Sequence, residues 1–312
     1  MTRRRACVSA AVATLAALSA RPHVTTAQRA AVSIDVRAVA MDVLVTREGR
    51  PVTSLTAADF TVLDNGLAQH VDVVRLDAMP ITLLLVLDTS ASVQGPTLAG
   101  LKGAARAAAA ALGPKDSIGL LTFSDRVRLR LAPTPDLSRL GPALQASSPG
   151  GETRLYDAVY AALEQRRQTP GRILVLAFSE GVDSASWLDP LTVVRAARRG
   201  DAVVHVVSTE PPEALTPHGF GLTSQLAERF EREPLLYGRH FLARLAEDTG
   251  GVLQSSVAGT LGEAFVGIVN EYRSRYLLSY QPVGVDSSGW HTIDVKVNGR
   301  GLEVRARRGY QR

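Results

Sequence analysis

Apolar and polar residues alternate with period two in two runs near the start of the chain, Ser33-Ile34-Asp35-Val36-Arg37 and Met41-Asp42-Val43-Leu44-Val45. That is the pattern of strands with one buried face. Glu48-Gly49 and Asp64-Asn65-Gly66 supply residues that tolerate the positive φ of hairpin turns. From Ile81 the pattern changes. Residues 81–87, 118–123, 173–178 and 203–207 are near-continuous apolar runs, which predicts parallel strands covered by helices on both faces. Leu98, Leu101, Ala105, Ala108 and Leu112 share one face at helical spacing, as do Leu155, Ala158, Val159, Ala162 and Leu163 within 154–167. Further helices are predicted over 190–199, 240–249 and 261–272. The alternation predicts an α/β fold built on a doubly wound, mostly parallel sheet.

After Tyr272 the strand pattern returns at 276–280, 290–297 and 302–306, with Asn298-Gly299 as a hairpin turn. The β pieces at either end are too small to fold comfortably alone, so they are expected to pair, with the α/β domain inserted between them. The predicted organisation is an N-terminal β segment over 28–78, the α/β domain over 79–273 and a C-terminal β segment over 274–312. Residues 1–27 read as a secretory signal. Arg3, Arg4 and Arg5 precede the apolar run 6–20, and Thr25 and Ala27 give a small-x-small cleavage site, with Ala20 as a second candidate. The run is short of the ~20 residues a spanning helix needs. The mature chain is therefore expected to have no membrane span and to be secreted or periplasmic.

Composition alters this picture only once the signal is set aside. The chain of 312 residues has a formal net charge of +5 and one cysteine. Cleavage after Ala27 removes four arginines and no acids, leaving +1, and removes Cys7 as well. A thiol-free chain suits an oxidising compartment. The basic residues Lys296, Arg300, Arg305, Arg307, Arg308 and Arg312 read as a solvated strand face and tail. They have no aromatics interleaved along a groove, so no nucleic-acid partner is expected.

The chemistry gathers at strand ends. The first apolar strand closes in Asp88-Thr89-Ser90-Ala91-Ser92, and loops at the carboxyl ends of parallel strands converge on one edge. A carboxylate and two hydroxyls at alternate positions are hard oxygen ligands of the kind Mg²⁺ or Mn²⁺ prefers. Taken alone, helix capping explains such a motif more simply. Two other loops on the same edge shift that balance: Pro149-Gly150-Gly151-Glu152-Thr153, and Ser179-Glu180-Gly181-Val182-Asp183.

These residues resemble the von Willebrand factor type A domain with its metal-ion-dependent adhesion site. Asp88, Ser90 and Ser92 match the family's Asp-x-Ser-x-Ser motif, Thr153 its threonine loop, and Ser179-Glu180-Gly181 its third loop. Leu55-Thr56-Ala57-Ala58-Asp59-Phe60 and Arg307-Arg308-Gly309-Tyr310 also resemble the flanks of a bacterial secreted group of such proteins. The resemblance implies a metal site of Asp88, Ser90, Ser92, Thr153 and Glu180 that takes Mg²⁺ or Mn²⁺. It also implies a protein partner that presents Asp or Glu to the ion.

Glu180 departs from the pattern, since the family carries Asp there. One methylene longer, it reaches the ion directly, holds one of the ion's waters, or upsets the octahedral geometry. Asp183 is a substitute ligand only if it is not capping the turn. The expected protein is a non-enzymatic extracytoplasmic binding protein. The alternative is a metal-independent scaffold whose site has decayed. A phosphotransferase reading is weak, because Ser90 stands where those enzymes need a second aspartate, and a hydrolase with an unrecognised site is the distant third. His205 lies within an apolar strand and reads as a core residue, and the scattered His70, His218, His240 and His291 are assigned no role. The long segment 209–238 leaves the same edge as the metal loops; its apolar residues read as an extra helix packed on the domain, with partner selection by its exposed face as the alternative.

Overall fold

The computed structural model describes residues 38–75, 79–169, 171–209 and 238–312. The signal segment, the run 33–37 and nearly all of the long connection 209–238 lie outside them. In chain order the first strands are β1 (Val39–Arg47), β2 (Arg50–Pro51), β3 (Phe60–Asp64), β4 (Leu67–Gln69) and β5 (Asp72–Arg75). The α/β region follows: β6 (Ile81–Asp88), α1 (Pro96–Ala110), β7 (Ser117–Phe123), β8 (Val127–Thr134), α2 (Leu140–Gln145), α3 (Leu155–Gln168), β9 (Arg172–Phe178), α4 (Pro190–Arg199), β10 (Val203–Ser208), α5 (Gly238–Thr249), β11 (Leu253–Ser255) and α6 (Leu261–Arg273). The chain ends in β12 (Tyr276–Tyr280), β13 (Trp290–Val297), β14 (Leu302–Arg305) and β15 (Gly309–Gln311).

Six strands form the central sheet in the order β11-β10-β9-β6-β7-β8. All are parallel except β8, which runs antiparallel to β7 at the edge. Every residue of β6 is buried, and its side chains divide by parity. Ile81, Leu83, Leu85 and Leu87 enter a core built with α1, α2 and α6. Leu84 and Val86 enter a second core with α3, α4 and α5. β9 divides in the same way, with Leu174, Leu176 and Phe178 on one face and Ile173, Val175 and Ala177 on the other. A strand that packs both faces cannot spare a polar position, which is why the four central runs lack alternation. Strands β8 and β11 escaped the sequence reading because edge position halves their burial: β8 exposes Arg128, Leu129 and Ala132, and β11 is three residues long.

The terminal strands pair with each other. β1 runs antiparallel to β12 through its first half and to β14 through its second, and β3 pairs with β13. Two sheets result, β14-β1-β12-β5 with β2 beside β1, and β15-β13-β3-β4. Met41, Val43, Val45, Phe60, Val62, Leu278 and Ile293 from both sheets form one core, so the sheets pack face to face. The turns at Glu48-Gly49 and Asn65-Gly66 have positive φ at both residues, as the sequence suggested. Asn298-Gly299 differs. β13 and β14 belong to different sheets, so the turn carries the chain from one layer to the other and is not a hairpin.

Polar side chains mark where these layers meet. The Arg172 guanidinium, at the amino end of β9, binds Asp42 of β1 through Nε at 2.9 Å and also through Nη2, and both side chains are 5% exposed. Arg172 lies over the Tyr272 ring at 4.2 Å, and the Tyr272 hydroxyl donates to Asp42 at 3.2 Å. Arg307 was expected in solvent but is buried. Its three nitrogens donate to the carbonyls of Gly309, Gly200 and Arg198, two of them at the carboxyl end of α4, where carbonyls lack helical partners and a cation is favoured. Arg305 and Arg308 of the same cluster pair with Glu271 and Glu247.

His205 is fully buried in β10, as its place in an apolar strand suggested. Arg275 Nη2 lies 3.1 Å from its Nε2. Arginine can only donate, so Nε2 must accept and the ring is neutral. Glu271 is 3.5 Å from the same nitrogen and favours the charged ring, but it is the ion-pair partner of the closer Arg275. Burial first, then the charges of Arg275 and Arg305, hold the imidazole well below its ordinary 6.5.

Two measurements follow from these contacts. Arg172→Met should cost about 3–5 kcal/mol in urea unfolding, because it strands a buried carboxylate, and adding Asp42→Asn should recover part of that loss. Below the ordinary histidine range the unfolded chain binds a proton that native His205 refuses. Stability should therefore fall as pH drops through about 6.5, and His205→Gln should flatten that part of the profile.

Candidate functional site

Asp88 is the last residue of β6 and is 2% exposed. The loop after it is fixed by its own short polar side chains. Ser90 N–H donates to Asp88 Oδ1 at 2.8 Å, and Thr89 sends both its N–H and its hydroxyl to the Phe123 carbonyl at 2.8 and 3.0 Å. Val93 plugs into the core beneath. Gly95, with φ +54, then turns the chain into α1, where Pro96 opens the helix. Across this loop the Ser90 and Ser92 hydroxyls lie 3.2 Å apart.

The threonine loop is zipped to the first. Gly150 N–H donates to the Thr89 carbonyl at 2.9 Å, and Ala91 N–H to the Gly151 carbonyl at 3.1 Å. Gly151 has φ +83, and a Cβ there would stand 3.0 Å from that of Asp125. Thr153 is 9% exposed. It donates its N–H to Ser184 Oγ at 3.0 Å, and its carbonyl accepts from the N–H groups of Ser184 and Ala185 at 2.9 and 3.1 Å.

The third loop leaves β9. Ser179 is fully buried; its hydroxyl donates to Asp88 Oδ2 at 3.4 Å and accepts from Gly181 N–H at 3.1 Å. Glu180 is half-buried, and its Oε1 accepts from the Thr209 hydroxyl at 3.3 Å. Asp183 serves as a cap. It accepts from Tyr156 N–H at the start of α3 and from Ser186, and burial raises its carboxyl above the usual range.

Asp88, Ser90, Ser92 and Ser179 thus form one hydrogen-bonded group. The backbone of the first loop joins Thr153's loop to it, and Glu180 stands close enough for its charge to act on Asp88. Ser179 was read only as part of its loop; a serine directly after a buried strand was the available signal. Among the described residues no cation pairs with Asp88. Burial, with a smaller push from Glu180, raises its carboxyl to about 6 against the hydrogen bonds of Ser90 and Ser179. A buried carboxylate with hydroxyls around it and no positive partner fits a divalent ion, which would supply the missing charge to hard oxygen donors. Among the described residues no cluster of three or more His, Cys, Asp or Glu forms a richer metal site.

A mostly parallel, doubly wound sheet with Asp-x-Ser-x-Ser at the end of its first parallel strand defines a class of α/β module. Residues 83–180 match the model of the von Willebrand factor type A domain, which supports a protein that carries such a domain. A von Willebrand factor type A structure from Catenulispora acidiphila superposes with a TM-score of 0.50 at 10% identity, covering 88% of this chain and 75% of that one. An aerotolerance-related membrane protein from Bacteroides fragilis gives 0.45 at 16% identity, covering 62% and 98%. Proximal thread matrix protein 1 from the mussel byssus, solved with a zinc-occupied MIDAS motif, gives 0.49 at 16% identity, covering 66% and 49%. No curated protein matches the sequence.

The loop geometry makes one demand that a variant can test. Gly151→Ala places a Cβ against Asp125 on a backbone that L residues avoid. It should cost about 1–3 kcal/mol in thermal or urea unfolding, with the central sheet's circular dichroism retained.

Proposed function

We propose that this chain is an extracytoplasmic binding protein that captures an acidic group of a protein partner at the edge formed by β6 and β9. The observation that carries this reading is Asp88, a buried carboxylate bonded by the Ser90 N–H and the Ser179 hydroxyl, with no cation paired to it among the described residues. Asp88, Ser90, Ser92, Thr153 and Glu180 would hold Mg²⁺ or Mn²⁺. Bound there, the ion supplies an electrophilic position that accepts one carboxylate from outside. Asp88 is the one buried carboxylate of the set, and with Glu180 holding a water of the ion rather than the ion itself, the protein would leave much of the ion's charge unneutralised. The chain's own part is to hold the donors and to tie the three loops together. The reading gives this edge no catalytic role. Secretion rests on the N-terminal sequence; among the described residues no helix is long and apolar enough to cross a membrane.

One observation favours a second reading. Glu180 Oε1 is engaged by the Thr209 hydroxyl, so this acid could serve the loop alone, with the chain acting as a metal-independent scaffold. Chelator separates the two. Under the metal reading, titration calorimetry with Mg²⁺ and Mn²⁺ gives heat for the wild type and none for Asp88→Ala. Glu180→Gln should weaken affinity by about 10–100-fold, and EDTA should release any partner captured from cell-envelope extract. An Asp88→Ala isotherm matching the wild type would sink the metal claim.

A further inference from the structure

We infer that Trp187 is a specificity-determining residue of this edge: it receives an apolar side chain lying beside the carboxylate in the partner's chain. This rests on the carboxylate-capturing function proposed above and adds to it the chemistry of the partner's neighbouring position.

Trp187 is 86% exposed, more than any other large apolar side chain among the described residues. An exposed indole on a loose loop would mean little, but this loop is pinned throughout. The N–H groups of Trp187 and Leu188 both donate to the Asp157 carboxylate, at 3.1 and 3.0 Å. Ser186 is held by Asp183, and Ser186 Oγ in turn accepts from Asp157 N–H at 3.1 Å. Asp157 lies in the first turn of α3 and is itself bridged by Arg154 at 3.3 Å. Two carboxylates are thus committed to holding the backbone on which the ring stands. A pinned ring loses little entropy on contact, and buried Trp is among the strongest anchors at protein interfaces.

The same segment begins with Ser179, bonded to Asp88. It then clamps Thr153 through Ser184 and Ala185 before reaching Trp187. The anchor and the metal donors therefore belong to one hydrogen-bonded unit on one edge of the sheet. Arg154 lies 5.8 Å from the indole centroid with its charge paired to Asp157, so the partner's acid is specified by the metal donors and the apolar neighbour by the ring. The occupant is a protein segment in which Asp or Glu is followed or preceded closely by an aliphatic or aromatic residue.

The test is selection from a display library of random linear peptides on the full chain in Mg²⁺, with elution by EDTA. Wild type, Trp187→Ala and Trp187→Phe are compared. Peptides released from the wild type should be enriched in Asp or Glu with an apolar residue close by in sequence. On Trp187→Ala the acid should persist while the apolar neighbour returns to library frequency. The best wild-type peptide should bind that variant ~30-fold more weakly, and Trp187→Phe should restore most of the affinity. The ring is exposed, so matched melting curves establish that the variants fold. Equal apolar enrichment on wild type and Trp187→Ala overturns the inference while leaving carboxylate capture intact. Absence of acid enrichment in the EDTA eluate of the wild type overturns the parent reading, and this one with it.

Discussion

The constraint from which the rest follows is that the central strands of the sheet pack on both faces. β6 and β9 send alternate side chains into two separate cores, and the only acid on β6 is its last residue, Asp88. Polar chemistry is thereby driven to the strand ends, where it divides by sign. The amino end gathers Arg172 against Asp42 and Tyr272. The carboxyl end gathers Asp88 and Glu180, and among the described residues no arginine or lysine pairs with either. One end is internally compensated and joins the α/β unit to the β layers. The other is left short of positive charge, and the proposed metal site rests on that shortage.

Much of this was legible because double-sided burial leaves a strong mark on a sequence. Residues 81–87, 118–123, 173–178 and 203–207 all proved to be strands, and the helices between them lie within a few residues of their expected bounds. Edge elements were harder to read. β8 alternates around arginines because only part of it is buried, and α2 has just two core positions, Leu140 and Leu144. Arg307 misled for another reason. Charge in a tail normally means solvent, and only the folded chain brings the unpaired carbonyls of α4 to it.

His291 shows the same limit. Its scattered position suggested no role, yet it is fully buried with Nδ1 2.8 Å from Asp64. The hydroxyls of Tyr280 and Tyr310 donate to the other oxygen of that carboxylate, at 2.9 and 2.8 Å. Asp64 had been visible only as part of a turn. Three residues, from β12, β13 and β15, thus meet around the buried carboxylate of Asp64 on β3, joining the two β sheets and holding the C-terminal strand. Such a network is set by partners more than 200 residues apart in the chain, and no local pattern signals it. The bonds to Asp64 tie both ends of the sequence to one arrangement, although His291 Nε2 has no partner among the described residues.

The site is organised by a different device, short-range bonds between neighbouring loops. Motif matching identified Asp88, Ser90, Ser92 and Thr153 by type, but not what keeps them together. The structure supplies that through Thr89, Gly150, Gly151 and Ser184, whose backbone or hydroxyl groups connect three loops from three parts of the chain. The carboxylates nearby fall into two groups. Asp157 and Asp183 are consumed by backbone N–H groups and shape the loops, whereas Asp88 keeps its buried charge without a cation. Under the proposed metal reading, a site assembled in this way would need little reorganisation to accept an ion. The half-buried Glu180, held at one oxygen by Thr209, would then be the donor that sets how completely the ion is enclosed.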